Sequence, residues 1–139
     1  MSITKRIKSV ISGLIILFSA FGIQTITAQT VWLDQLDLST ATQGYGTPGS
    51  NKTVDGKPLT IAGKTFERGF GSHSDSSLTI LLEGKATLFT AQVGIDDEVK
   101  GQRPAAEFVV YGDNQKLWSS GVMRLGDTAR TCSVKLNGV

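Results

Sequence analysis

The sequence predicts an all-β domain, an antiparallel sandwich or barrel. Short apolar or alternating runs recur roughly every ten residues, with turn residues between them. No window holds a sustained apolar stripe at helical spacing. Of the 16 glycines only Gly13 and Gly22 precede residue 29; the others are scattered, which suits many tight turns and not a linker.

Taken in order, Thr30-Val31-Trp32-Leu33 reads as a short strand, and residues 34–42 as ambiguous, with Leu33 and Leu36 at the spacing of a helical turn. Gln43-Gly44-Tyr45-Gly46-Thr47-Pro48-Gly49-Ser50-Asn51 is loop by composition. Asp55-Gly56 is a turn, Leu59-Thr60-Ile61 a strand, and Ala62-Gly63-Lys64 another turn that leads into Thr65-Phe66. The stretch Phe66-Glu67-Arg68-Gly69-Phe70-Gly71-Ser72-His73-Ser74-Asp75 holds a Gly-x-Gly pair and the only histidine. Gly-x-Gly lets a backbone bend or approach a neighbour closely. Residues 77–82 read as a strand, Glu83-Gly84-Lys85 as a hairpin turn, and residues 86–95 as the strongest strand, with Phe89, Ala91, Val93 and Ile95 in one phase. A polar loop over 98–105 precedes the strand Glu107-Phe108-Val109-Val110-Tyr111. Gly112-Asp113-Asn114-Gln115 turns it into a strand over 116–120. A turn at Leu125-Gly126-Asp127 precedes a last strand over 129–136, where Cys132, Val134 and Leu136 share a face.

Residues 1–28 carry Lys5, Arg6 and Lys8, then an apolar run over 10–23, then Thr25-Ile26-Thr27-Ala28. This is the layout of a secretory signal peptide cut after Ala28, so export with Gln29 as the first mature residue is expected. The apolar run falls short of the roughly 20 residues of a membrane span. Residues 29–139 suffice for one domain and not two. That part keeps 11 of the 14 Lys+Arg and all 12 Asp+Glu, a net charge of −1, because the leader holds three basic residues and no acidic one. No basic surface remains to attract nucleic acid. The single cysteine excludes an intrachain disulfide and reads as a small core residue. Export without disulfides points to a bacterial periplasm, cell surface or exterior.

Catalysis finds little support. A lone histidine excludes multi-histidine metal centres. Ser72, His73 and Asp75 are neighbours on one chain and would point to alternate sides rather than line up as a relay. Asp96 and Asp97 are adjacent and would face apart, not across a cleft as glycoside hydrolysis requires. The run Asp96-Asp97-Glu98 most often forms a solvated turn; a structural calcium is the alternative, since hard oxygen ligands suit it. No cofactor is required. Binding fits better. His73 can donate or accept, Gln43 and Asn51 offer amides, and Tyr45, Trp32 and Trp118 offer flat faces. Sugars need such a mixture of hydrogen-bond partners and aromatic surface. Trp32 and Trp118 are as readily core residues as platforms. The expected carbohydrate-binding residues are Gln43, Tyr45 and His73.

Five stretches occur in a fixed order: Gln43-Gly44-Tyr45-Gly46; Leu59-Thr60-Ile61-Ala62-Gly63-Lys64-Thr65-Phe66; Gly69-Phe70-Gly71-Ser72-His73-Ser74-Asp75-Ser76; Phe89 with Val93-Gly94-Ile95-Asp96-Asp97-Glu98; and Phe108-Val109-Val110-Tyr111-Gly112-Asp113. The set resembles the NPCBM domains, relatives of family 51 carbohydrate-binding modules that are often attached to glycoside hydrolases, notably α-galactosidases and family 98 enzymes. The resemblance covers essentially all of residues 30–139. It implies a galactose-binding-like jelly-roll sandwich, no enzyme activity of its own, a galactose-type glycan as ligand, and a monomer. It also implies a glycoside hydrolase catalytic domain elsewhere in a longer chain. The family usually continues with one more apolar strand and an Asp-His-Ala-Asp-Trp-like segment, whereas this chain stops at Asn137-Gly138-Val139. The resemblance therefore implies a C-terminally truncated module. Two other readings stand beside it: the N-terminal fragment of an α-galactosidase-like enzyme, and a structural or adhesive β-domain without a sugar site.

Overall fold

The structure, a computed structural model, describes residues 29–99 and 104–136. The expected leader at residues 1–28 and the chain end at 137–139 lie outside the described residues. Within them the fold is an all-β sandwich of antiparallel strands. The strands are β1 (Gly49–Ser50), β2 (Leu59–Ile61), β3 (Lys64–Phe66), β4 (Phe70–Gly71), β5 (Leu88–Val93), β6 (Ala105–Gly112), β7 (Gln115–Arg124) and β8 (Arg130–Lys135). They pair as β1–β4, β2–β3, β5–β8 and β6–β7.

Two of these pairs make the core. In β5 the side chains alternate, and Phe89, Ala91 and Val93 turn inward as their phase predicts. Phe89 lies opposite Val134, and Ala91 opposite Cys132, so the inner faces of β5 and β8 coincide. Cys132, Val134 and Leu136 are buried. Val110, Leu117 and Trp118 from β6 and β7 pack against them, as do Leu82 and Ala86. Each such side chain contributes about 1.5–3 kcal/mol when fully buried. Trp118 thus belongs to the core. The opposite face of β6 and β7 exposes Val109, Tyr111 and Val122.

The β6–β7 hairpin turns on Asp113 and Asn114, both at positive φ, which is the conformation a two-residue hairpin loop needs. β7 extends four residues beyond Ser120, past the end that the sequence suggests. Gly121, at φ +62°, absorbs an extra residue: Glu107 pairs with Val122 but Val109 with Ser119. The Ser120 hydroxyl accepts the Phe108 N–H at 2.9 Å across this bulge.

Two expected strands are not strands. Residues 33–35 form a single 3-10 turn, Leu33–Gln35, because the Gln35 side chain reaches back to accept the Trp32 N–H at 2.9 Å. Residues 78–82 make no ladder; beside the segment, Thr42 and Ser77 form an isolated bridge, and the Thr40 hydroxyl donates to the Thr79 carbonyl at 2.5 Å.

Cys132 has no exposed surface, and burial pushes its thiol above the ordinary range. The thiolate is the reactive form. The native protein is therefore expected to resist a thiol-reactive dye and to label only as it unfolds in urea. Prompt labelling without denaturant would show that β8 is not covered.

Candidate functional site

Thr42 and Ser77 exchange both backbone hydrogen bonds, at 2.8 and 2.9 Å, and their hydroxyls meet at 2.8 Å. This bridge brings two distant loops side by side, one carrying Gln43 and Tyr45, the other Ser72 and His73. Gln43 then locks them. Its carbonyl oxygen accepts the His73 N–H at 2.9 Å and the Ser72 hydroxyl at 3.0 Å, and its amide nitrogen donates to the Tyr45 carbonyl at 2.7 Å. Both lone pairs of the Gln43 oxygen are spent within the protein. Gln43 thus ties the two loops together.

Tyr45 and His73 are the members of the cluster whose rings stay exposed. Their rings lie 5.5 Å apart, tilted by 60°, and Tyr45 is 67% exposed. His73 Nδ1 lies 3.1 Å from the Ser74 carbonyl, which can only accept, so Nδ1 carries the proton. In the neutral ring Nε2 is then the acceptor. The pair offers an aromatic face, a phenol and an imidazole acceptor, a set suited to a sugar edge. It is no triad: Ser72 donates to Gln43, and His73 Nδ1 turns to Ser74 rather than Asp75.

The three acids serve other ends. Asp96 accepts the Thr60 N–H at 2.8 Å and the Glu98 N–H at 2.9 Å. Asp97 takes the N–H groups of Ala62 and Gly63 at 3.0 and 2.8 Å. Glu98 accepts the Thr53 hydroxyl at 2.8 Å and faces Lys57 at 3.7 Å. They point at three separate partners, and among the described residues no group of three or more His, Cys, Asp or Glu converges as a metal site.

A second polar cluster has no signature in the sequence. Arg68 pairs with Asp34 at 3.1 Å and lies over the half-exposed Trp32 ring, 5.3 Å from its centroid. Asn51 donates to Asp34 at 2.9 Å and accepts the Gly69 N–H at 2.9 Å. The Asn51 amide leads in holding the Asp34 carboxyl below its ordinary value; desolvation opposes it and the Arg68 charge adds to it. That stabilising effect is present at neutral pH and is lost as the carboxyl protonates in acid. The partners are 17 to 34 residues apart in the chain, so no local pattern could announce them.

The family model described as NPCBM/NEW2 domain matches residues 29–139. The chain belongs to the NPCBM/NEW2 family. A Renibacterium salmoninarum protein with a provisional endo-alpha-N-acetylgalactosaminidase name is 37% identical over 120 residues, 81% of this chain and 8% of that protein. Alpha-1,3-galactosidase B of Akkermansia muciniphila is 35% identical over 85 residues, 58% of this chain and 11% of that protein. The NPCBM/NEW2 chain thus spans about a tenth of the length of these relatives. Among solved structures, CBM51 from Clostridium perfringens GH95 in complex with methyl-galactose superposes with a TM-score of 0.70 at 30% identity, covering 78% of this chain and 79% of that one. CBM51-2 in complex with GlcNAc, with INT domains, from Clostridium perfringens ZmpB gives 0.71 at 26% identity, covering 77% and 24%. The NPCBM/NEW2 domain is a carbohydrate-binding module, a non-catalytic type.

Proposed function

We propose that this module is exported from a bacterium, acts as a monomer, and brings an attached glycoside hydrolase domain to galactose-type glycans. The observation that carries the reading is the Tyr45–His73 pair, an exposed aromatic and imidazole surface held in place by Gln43. The galactosidase name of one relative and the methyl-galactose held by one structural neighbour support the choice of sugar. The much greater length of both relatives supports an attached catalytic domain.

His73→Ala removes one hydrogen-bonding group and one aromatic contact, so roughly tenfold weaker binding of a galactoside is expected. The side chain is exposed, and its one protein bond is to the adjacent Ser74, so little change in Tm is expected. Calorimetric titration beside a thermal melt checks both. Equal affinity in wild type and variant would return His73 to an ordinary loop residue. No signal from the wild-type module on a glycan array would favour a structural domain instead.

A further inference from the structure

We infer that Gln43 sets the affinity of the sugar site without touching the sugar: it is a positioning residue that holds the Tyr45 and His73 rings at a spacing one ligand can span. The inference rests on the sugar-binding reading above. The two loops are tied by backbone at both ends, through the Thr42–Ser77 bridge on one side and the β1–β4 pair on the other. Neither ring sits on those ties. Between them, no backbone-to-backbone hydrogen bond joins residues 43–48 to residues 72–76. The hydrogen bonds that do cross there, from Ser72 and from His73, both end on the Gln43 side chain.

The side chain is built into the loop rather than offered to solvent. Gln43 is half-buried, while Thr42 before it and residues 44–47 after it are exposed. Its oxygen has two lone pairs, and the His73 N–H and the Ser72 hydroxyl take both, at 2.9 and 3.0 Å. Its nitrogen donates to the Tyr45 carbonyl at 2.7 Å and lies beneath the loop, where a methyl on Gly46 would come within 3.7 Å of it. One planar amide therefore grips the backbone of Tyr45 through its nitrogen and the backbone of His73 through its oxygen. The 5.5 Å between the two rings is measured from backbones held in this way. Without the amide, the ligand itself would have to order both loops, and that ordering is subtracted from its affinity.

Calorimetric titration of the full chain with methyl β-galactoside tests this. Gln43→Met keeps the length of the side chain and removes both halves of the tie, so roughly tenfold weaker binding is expected. Gln43→Glu keeps an acceptor for Ser72 and His73 but puts a carboxylate oxygen where the Tyr45 donor was. An intermediate loss is expected from it, and it decides the matter if the methionine disturbs folding. Amide hydrogen exchange at His73 should quicken in Gln43→Met and stay slow in Gln43→Glu. Pairing Gln43→Met with His73→Ala separates positioning from contact. Once the imidazole is gone, the methionine should cost little further, because no pair of rings remains to align. Losses that add in full would make Gln43 a sugar contact. Unchanged affinity in both Gln43 variants, whatever their Tm, would make it a purely structural residue. Either result overturns the inference and leaves the sugar-binding reading standing; a wild type that binds no galactoside overturns both.

Discussion

Gly71→Ala is expected to destabilise the domain by about 3 kcal/mol or more, at the upper end for forcing a methyl into a packed site. Gly71 on β4 pairs with Gly49 on β1, and the backbone of residues 52–53 crosses directly over both. A Cβ at position 71 would sit 2.2 Å from the Lys52 carbonyl oxygen and 2.8 Å from the Thr53 Cα. These are main-chain atoms and cannot swing aside as a side-chain tip can. Nor is that crossing free to move: Thr53 is 3% exposed, its N–H donates to the Lys57 carbonyl at 2.8 Å, and its hydroxyl donates to Glu98. The expected fall in Tm is roughly 10–20 °C for a domain of this size. Galactoside binding should weaken too, because Ser72 and His73 follow at once. Gly69→Ala is the control. Its Cβ would meet only the Leu59 Cδ1, at 2.7 Å, and that tip can rotate away. A loss of about 1 kcal/mol is expected there. Equal melting points for the two variants would show that the crossing does not constrain position 71.

How much of this was legible in the sequence depends on how far apart the interacting residues lie in the chain. The phase of β5 and β8 was readable because alternation is local, and it placed Phe89, Ala91, Cys132 and Val134 on facing inner surfaces. The turns at Ala62-Gly63 and Asp113-Asn114 were readable for the same reason. The β1–β4 pair was not: each strand is only two residues long, and its ladder depends on the chain above it. Residues 30–33 carry a strand-like pattern, but the long Gln35 side chain captures the Trp32 N–H and turns the chain instead.

The candidate site divides in the same way. Gln43, Tyr45 and His73 were singled out by residue type, and the structure brings them together. Their different bonding was not visible, because the donors that occupy the Gln43 oxygen lie 29 and 30 residues away in the chain, on Ser72 and His73. Residue type names what a side chain can bond; only the fold decides whether that capacity is spent on the protein or offered to a ligand.

The acids show the same limit with a larger energetic consequence, and Asp96→Ala tests it. A cost of about 2–4 kcal/mol is expected, since hydrogen bonds to a charged group are worth about 1.5–3 kcal/mol and both backbone donors left behind are partly buried. Asp96 follows the end of β5, while its principal partner is the Thr60 N–H on β2. The Asp97 N–H donates to the Thr60 carbonyl at 2.9 Å from the other side. The β2–β3 hairpin pairs only with itself in its ladder, so this splice, together with the Asp97 carboxylate on the turn at Ala62 and Gly63, ties it to the β5 end of the sandwich. Asp97→Ala, by contrast, releases two N–H groups at an exposed turn where water can replace the carboxylate, and about 1 kcal/mol is expected. Urea unfolding distinguishes the cases: the Asp96→Ala midpoint should fall well below that of Asp97→Ala, with m unchanged. A chelator should leave the wild-type midpoint where it is, because Asp96 and Asp97 act through backbone donors and Glu98 through Thr53 and Lys57. If a chelator instead lowered the wild-type midpoint as far as Asp96→Ala does, the three acids would be holding calcium, and the splice would be its by-product.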